Sequence, residues 1–154
     1  MLQAQVRNLL DQRSIPYRTI PHERHVTAQQ IAAAAHIPGA EMAKTVMVKL
    51  DGELAMAVLP ATERVHLGRL RQLSGANEVA LASEPEFRDR FPECEPGAMA
   101  PFGNLFGMRV FVADDLARDG TIAFNCGDHR ELVQLAYRDF ERLVGPKVGD
   151  IAIH

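Results

Sequence analysis

The stretch Glu95-Pro-Gly-Ala-Met-Ala-Pro-Phe-Gly103 holds two prolines and two glycines within nine residues. Pro96 and Pro101 restrict φ and remove backbone donors, so this stretch is a poor helix and a poor central strand. Gly97 and Gly103 permit backbone conformations, or close approaches, that a Cβ atom would forbid. The composition therefore predicts either a tight connection between two elements or a shaped loop that presents backbone N–H groups to a ligand.

A β-hairpin is predicted upstream of this loop. Residues 43–50 form its first strand, with Lys44, Val46 and Val48 on one face. Asp51-Gly52 is the strongest hairpin-turn signal in the chain, because a tight turn of this kind needs residues that tolerate positive φ. Residues 53–59 form the returning strand, and their nearly continuous apolar run indicates burial on both faces.

Apolar periodicity and capping signals predict the helices. Leu2, Val6, Leu9 and Leu10 form one apolar stripe on the first helix. Thr27-Ala-Gln-Gln30 and Ser83-Glu-Pro-Glu86 are capping boxes, in which the first and fourth residues satisfy each other's backbone donors. The predicted helices cover residues 1–12, 27–35, 67–73, 83–90 and 137–143.

The remaining segments are predicted to be strands. Short β-prone runs lie at 17–20, 78–82, 108–113, 121–125 and 131–136. We expect 108–113 and 121–125 to pair antiparallel, and the tail after Gly145-Pro146 to lie on the surface. Helices concentrate at the front, and no βαβ rhythm is present. The fold class is therefore α+β, with mostly antiparallel strands.

Composition is that of an ordinary globular protein. The chain has 154 residues, 47% apolar and 24% charged, and we expect one domain over 1–154. No apolar run approaches the length that spans a bilayer, and no secretory signal is recognisable, so we expect a cytoplasmic protein without a membrane partner. The net charge of −3 argues against a protein that coats long DNA or RNA, but not against gripping one RNA end.

The central loop also carries a family resemblance. Gly97-Ala-Met-Ala-Pro101 and the following Phe102-Gly103 resemble the Gly-x-x-x-Pro loop of the YbaK/ProX family. These are aminoacyl-tRNA editing domains related to the insertion domain of bacterial prolyl-tRNA synthetase. Ala43-Lys-Thr45 resembles the lysine-bearing strand of that family, and Phe124-Asn-Cys-Gly-Asp-His129 resembles its terminal glycine–histidine segment.

The resemblance implies both a fold and an activity. The implied fold is a mixed, curved, partly barrel-like sheet flanked by helices. The implied activity is hydrolysis of the ester between a wrong amino acid and the 3′ end of a transfer RNA, without a cofactor. Small amino acids such as alanine, serine, threonine or cysteine on a non-cognate tRNA, with proline tRNA as one candidate, are the expected substrates.

Ten residues are the site candidates. The catalytic candidates are Lys44, Gly97 and His129, and the substrate-binding candidates are Thr45, His22, Met99, Ala100, Pro101, Phe102 and Gly103. The resemblance places the lysine at the ribose–phosphate end or the carbonyl of the substrate, and the loop against the amino acid. Without the resemblance, the sequence suits a surface position for Lys44. It likewise suits a turn position for His129, with the ring bonded to local backbone.

Other polar residues give weaker hypotheses. His22 and His25 have a His-x-x-His spacing, but no further ligand accompanies them, so we expect no metal. Cys94 and Cys126 lack a paired base, which disfavours a thiol nucleophile. A cationic rim for the tRNA acceptor end could come from Lys49, Arg64, Arg69 and Arg71, which equally suit solvated positions. Pocket-lining candidates are Met47, Met56, Met99 and Leu105, although core packing suits each of them better.

Three functions remain open from the sequence. The first is an aminoacyl-tRNA deacylase that acts in trans. The second is a binding module of the same fold that holds tRNA ends or nucleotides without hydrolysis. The third is a small-molecule ester or amide hydrolase, which the lack of a Gly-x-Ser-x-Gly nucleophile motif disfavours.

Overall fold

A computed structural model describes residues 3–23, 25 and 27–154. Its helices are α1 (Ala4–Gln12), α2 (Ala28–Ala34), α3 (Leu67–Ser74), α4 (Glu84–Phe87), α5 (Asp114–Ala117) and α6 (Tyr137–Val144). Its strands are β1 (Tyr17–Pro21), β2 (Ala43–Leu50), β3 (Glu53–Pro60), β4 (Arg64–Val65), β5 (Val79–Leu81), β6 (Arg109–Ala113), β7 (Thr121–Asn125), β8 (Glu131–Ala136), β9 (Lys147–Gly149) and β10 (Ala152–Ile153). Short 3₁₀ turns cover Gly39–Glu41, Arg88–Arg90 and Gly103–Phe106.

The strands form three sheets in the described part of the chain. The largest has the order β5-β2-β3-β6-β9, the second β1-β8-β7, and the third is the pair β10-β4. Most pairings are antiparallel, but β6 runs parallel to both of its neighbours, β3 and β9. A mixed α+β fold with helices outside the sheets is therefore confirmed, and the curved sheet does not close into a barrel.

Local signals place most elements correctly. Asp51 and Gly52 both have positive φ, of 51° and 86°, and Leu50 pairs with Glu53 across the turn. The Thr27 side chain accepts from the Gln30 N–H at 3.1 Å, as expected for the capping box at the start of α2. In the first helix the apolar stripe is confirmed for Val6 and Leu10, which are buried, whereas Leu2 lies outside the described residues.

The predicted pairing of 108–113 with 121–125 is wrong. Strand β6 lies inside the large sheet, between β3 and β9, and β7 pairs with β8 in the second sheet. The polar connection between them is not a hairpin turn, because it forms α5, whose Leu116 is fully buried. The buried run Val110 to Ala113 suits a central parallel strand, which is covered on both faces.

The expectation of a surface tail is also wrong. Strand β9 adds to the edge of the large sheet beside β6, and β10 pairs with β4. Ile151, between these strands, is 0% exposed and packs in the apolar cluster that contains Phe111 and Leu70. The tail is held because its apolar residues cover an otherwise open strand edge.

The two larger sheets meet at one point. Met42, just before β2, forms a parallel bridge with Ala123 of β7. Both side chains are 0% exposed and pack with Ile31, Ala61 and Leu132 beneath α2. Beyond this bridge, β2 and β7 continue in the same direction, so their next residues lie side by side.

Candidate functional site

A small cavity opens where β2 and β7 leave the bridge. Side chains alternate along a strand, so Lys44 and Asn125 lie on the same side as the bridged Met42 and Ala123. The cavity measures about 180 Å³. Its lining residues are Ala28, Ala43, Lys44, Thr45, Gly97, Met99 and Asn125. Since liquid water occupies about 30 Å³ per molecule, the cavity has room for several waters or one small acyl group.

Lys44 is only weakly satisfied by the protein. Its Nζ donates to the Ala61 carbonyl at 3.5 Å, which is long for such a bond. Among the described residues, no carboxylate oxygen lies within ion-pair distance of this ammonium group. Burial lowers the pKa of Lys44, an effect that Glu63 opposes and Arg64 reinforces. An ammonium in this state can gain free energy by binding an electron-rich group of a ligand.

A nearby carboxyl group, Glu63, acts on the lysine without forming a close ion pair with it. Glu63 is 5% exposed, and its burial, followed by the charge of Asp115, raises its pKa. A carboxyl with a raised pKa gives up its proton less readily, so it is a weaker counter-charge. Burial therefore disfavours the charged form of both groups, and Arg64 adds positive charge near Lys44.

The glycine–proline loop is fixed by hydrogen bonds to the β7–β8 turn. The Glu95 N–H donates to the Gly127 carbonyl, and the Gly127 N–H donates to the Ala98 carbonyl, both at 2.8 Å. A further bond, from the Ala98 N–H to the Glu95 carbonyl at 3.0 Å, closes a turn around Gly97, whose φ is +82°. Such a φ strongly favours glycine.

Two residues of this loop that line the cavity have N–H groups without a partner in the described part of the chain. The Gly97 and Met99 N–H groups make no hydrogen bond to any group that the structure describes. By contrast, the Ala100 N–H is bound at 2.8 Å by the side-chain oxygen of Gln3, a residue that is buried. Two free amides beside a lysine are suited to binding a carbonyl oxygen.

His129 lies behind Gly97 and is paired with Glu95. Its Nδ1 is 2.7 Å from Glu95 Oε2, and the residue is 4% exposed. The Nε2 atom lies 3.7 Å from the point where a Cβ on Gly97 would stand. Because a carboxylate only accepts, the proton between the two groups belongs to Nδ1, and Nε2 of the neutral ring is an acceptor that faces the loop.

The structure brings together some of the predicted site residues and separates others. Thr45 and Met99 line the cavity with Lys44 and Gly97. Phe102 is 0% exposed and packs against Phe124 and Phe140, with ring centroids 5.7 and 5.5 Å away.

The other loop and histidine candidates lie off the cavity. Ala100 and Pro101 are buried beside Phe102. Gly103 faces β6, where a Cβ would come within 2.8 Å of Val110. His22 follows β1, with Nδ1 2.7 Å from the Glu23 carbonyl and Nε2 buried without a partner among the described residues.

The structure also shows where the residues of the weaker hypotheses lie. Met47 and Met56 are buried in the main apolar cluster, and Leu105 packs against it. Burial raises the pKa of Cys94 to about 12 and that of Cys126 to about 11, so neither thiol forms a thiolate readily. No group of three or more His, Cys, Asp or Glu residues with a metal-binding arrangement occurs in the described ranges.

The residues of the expected cationic rim differ in whether they form ion pairs within the protein. Lys49 pairs with Glu86 at 2.6 Å, and Arg69 pairs with Asp150 at 3.2 Å, so both are engaged within the protein. Arg64 is exposed and lies close enough to Lys44 to affect its pKa. Arg64 therefore adds positive charge near the cavity, whereas Arg71 is exposed on α3 and is not among the groups that shift the pKa of Lys44.

Sequence reasoning missed Asn125. It lines the cavity, and its Oδ1 is buried with no hydrogen-bond partner in the described residues. A signal was available, because Asn125 ends an apolar strand just before the Cys-Gly turn. Only the bridge between β2 and β7, however, brings it beside Lys44.

Comparison with known proteins gives a family match. The aminoacyl-tRNA editing domain family matches residues 22–143 of this chain. A proline–tRNA ligase of Thiobacillus denitrificans is 26% identical over 125 residues, which cover 81% of this chain and 21% of the ligase. The chain thus spans about a fifth of the length of that curated relative.

Solved structures share the fold. The hypothetical protein APE2540 superposes with a TM-score of 0.86 at 20% identity, covering 97% of this chain and 99% of the other. A protein proposed to be a trans-editing enzyme for prolyl tRNA synthetase superposes with a TM-score of 0.82 at 19% identity, covering 98% and 96%. Among the described residues, no helix is both long and apolar enough to cross a membrane.

Proposed function

This chain belongs to the aminoacyl-tRNA editing domain family, and from that premise we propose that it is an aminoacyl-tRNA deacylase that acts in trans. Its substrate is a small amino acid, such as alanine, serine, threonine or cysteine, esterified to a non-cognate tRNA. Proline tRNA is the first candidate, because a proline–tRNA ligase and a protein proposed to edit for prolyl tRNA synthetase are among the similar proteins. The observation that carries the proposal is the meeting of Lys44 with two unbonded amides at one small cavity.

The free donors suit the reacting carbonyl. Attack of water on an ester places negative charge on the carbonyl oxygen, and fixed N–H groups or cations stabilise it best where water is excluded. The Gly97 and Met99 amides are held by the loop, so they need no reorganisation when this charge develops. Lys44 supplies a positive charge beside them or against the ribose of the terminal adenosine.

The buried histidine–carboxylate pair suits the attacking water. With its Nδ1 proton held by Glu95, Nε2 of His129 can accept a proton from a water molecule near Gly97. The hydroxide oxygen then bonds to the carbonyl carbon, and the bond from that carbon to the ribose oxygen breaks. The ribose oxygen takes up the proton, which leaves a free amino acid and an uncharged tRNA.

Cavity size supports a small acyl group. Ala28, Ala43 and Met99 bound the apolar part of a space of about 180 Å³, which leaves little room for a large side chain beside the ester. Exposed Arg64 offers a contact for phosphates of the acceptor end, and binding through such contacts weakens as salt is added.

A panel of charged tRNAs tests the proposal. Alanine, serine, threonine and cysteine are placed on proline tRNA and on other non-cognate tRNAs, beside the cognate pairs, and ester loss is followed. We expect wild type to hydrolyse a mischarged species and Lys44→Ala to lose that activity, with Lys49→Ala as the matched control. If no species is hydrolysed while the tRNA end is still bound, the binding-module alternative replaces the enzyme.

A further inference from the structure

Asn125 lines the candidate site and carries a buried acceptor that is unsatisfied among the described residues. It is the last residue of β7, where it pairs with Leu132 of β8, so its backbone position is held by the sheet. Its Oδ1 is buried and has no hydrogen-bond partner in the part of the chain that the structure describes. A buried acceptor without a partner costs stability, and such groups occur where a ligand completes the bond.

The other polar groups of the cavity are mostly donors. Lys44 and the Gly97 and Met99 amides can only donate, and they suit the carbonyl oxygen of an ester. The Thr45 hydroxyl can donate or accept a hydrogen bond. Among the side chains that line the cavity, Asn125 carries the buried acceptor that has no partner in the described residues, and a ligand can satisfy it with a donor of its own.

An aminoacyl ester carries a suitable donor close to its carbonyl. Its α-ammonium group is separated from the carbonyl carbon by a single atom, so both groups fit one small cavity. A neutral amide is also the appropriate acceptor here, because a carboxylate beside Lys44 would form an ion pair with the lysine and remove both groups from the ligand. Charge-assisted hydrogen bonds of an amide oxygen to an ammonium are among the stronger ones.

We propose that Asn125 binds the α-ammonium group of the acyl moiety and so restricts the site to esters of free, unblocked amino acids. This inference rests on the proposed function, because it names what the same cavity recognises. Asn125 is a substrate-binding residue in this account, and its effect must depend on the amine of the substrate.

The test removes the Asn125 side chain and the substrate amine separately and together, as in a double-mutant cycle. Deacylation is measured for the aminoacyl-tRNA that the panel identifies and for its desamino counterpart, which for alanyl-tRNA is propionyl-tRNA. Asn125→Leu should lower kcat/KM about 10- to 100-fold on the amine-bearing substrate and less than about threefold on the desamino one. Asn125→Ala should lose less on the first substrate, because it leaves room for a water that accepts in place of the amide.

The same cycle can be run on binding alone. Inhibition constants of the non-hydrolysable 3′-amide analogues, with and without the amine, do not require the desamino ester to react. Asn77→Ala is the control, since Asn77 is exposed and lies at the other end of the hairpin, near Asp51. It should leave all values unchanged.

The outcomes separate the two proposals. If wild type hydrolyses the aminoacyl-tRNA but Asn125→Leu slows both substrates equally, or neither, the inference is overturned and the deacylase stands. Equal loss on both would indicate that the amide donates to the ester carbonyl instead. A large fall in the melting temperature of Asn125→Leu would also contradict it, because an unpartnered acceptor contributes no hydrogen bond to the free fold. If wild type hydrolyses no aminoacyl-tRNA, the proposed function itself fails.

Discussion

Two lysines on one strand, Lys44 and Lys49, have opposite environments. Lys49 lies near the hairpin turn and pairs with Glu86 at 2.6 Å. That pair, together with the Ser83 backbone, lowers the pKa of Glu86 to about 2. Lys44, at the start of the same strand, has a pKa lowered by burial and, within the described residues, one long bond to a carbonyl oxygen. One end of β2 thus satisfies its charges internally and the other does not.

The two ends of β2 also differ in the cavities that they line. Two open grooves near the hairpin turn, of about 340 and 460 Å³, are larger than the cavity at Lys44. Three of their charged residues are bound within the protein: Lys49 by Glu86, Arg109 to the Ser74 carbonyl, and Arg90 to the Phe106 carbonyl. Glu53, which lines both grooves, is exposed to solvent. The smaller cavity instead is lined by Gly97, Met99 and Asn125, which carry polar groups without partners among the described residues. Unsatisfied polarity, more than volume, identifies the candidate site.

The largest expected effect comes from removing the unpaired lysine. Lys44→Ala should lower kcat/KM for the mischarged tRNA about 10²- to 10³-fold, because it removes one donor to the developing charge. Lys49→Ala should change it less than about twofold, since it breaks an exposed ion pair. Single-turnover deacylation of both variants measures the difference. Equal losses would show that the two ends of β2 do not differ in function.

A second pair of variants compares two glycines with similar backbone conformations. Gly97 has φ +82° and Gly75, at the end of α3, has φ +77°. An alanine at either position is strained by about 1–2 kcal/mol, and neither Cβ would meet an atom closer than 3.7 Å.

Both variants should therefore lose similar stability in urea unfolding. Gly97→Ala alone should lose about tenfold in activity, because relaxation of the strain shifts the Gly97 and Met99 amides. Activity loss in Gly75→Ala of the same size would attribute the effect to stability instead.

Two glutamates provide the third comparison. Glu95→Gln keeps an acceptor for the His129 ring but removes the negative charge that holds the proton on Nδ1. We expect kcat to fall about fivefold with KM unchanged, and the pH profile of kcat to shift. Glu86→Gln, which alters the exposed pair with Lys49, should leave both quantities unchanged. An unchanged pH profile in Glu95→Gln would contradict a role for this pair in the reaction.

The smallest effect concerns an unsatisfied group outside the cavity. Asp119 Oδ2 is buried without a partner among the described residues. Burial, then the charges of Glu41 and Asp115, raise the pKa of Asp119 from 3.8 to about 6. Because the folded state holds this proton more tightly than the unfolded state, the contribution of Asp119 to stability is present below pH 4 and is lost as the pH rises through 6.

Asp119→Asn should therefore stabilise the protein at pH 7 by about 1 kcal/mol, allowing for partial exposure, and should have little effect at pH 4. Urea unfolding at the two pH values measures this. Deacylation should not change. If activity fell, unsatisfied polarity would extend the site beyond the cavity between β2 and β7.

Local signals in the sequence were sufficient for most elements and for part of the site. The hairpin at Asp51-Gly52 and the cap at Thr27 depend on residues within a few positions of each other, so the sequence indicates them directly. Lys44 and Gly97 were singled out by family resemblance, and the structure places both at one cavity. Their catalytic roles remain predictions for the variants above.

The predictions from sequence failed where a strand pairs with a segment that is distant along the chain. The sequence of β6 suits an antiparallel partner as well as a parallel one, and only α5 carries the chain from one sheet to the other. The tail was likewise expected to lie on the surface, yet β9 pairs with β6 at the edge of the large sheet. Such pairings depend on which edges the rest of the fold leaves free.

By itself, the sequence determined the α+β class, most helix and strand positions, and the loop that requires glycine at Gly97. Only the tertiary structure decided which strands meet, and hence that Asn125 lies beside Lys44 and that His129 lies behind Gly97. The physical reason is that turns, caps and periodicity are local interactions. A site built from groups without partners exists only after long-range packing has determined which polar groups are satisfied and which are left for a ligand.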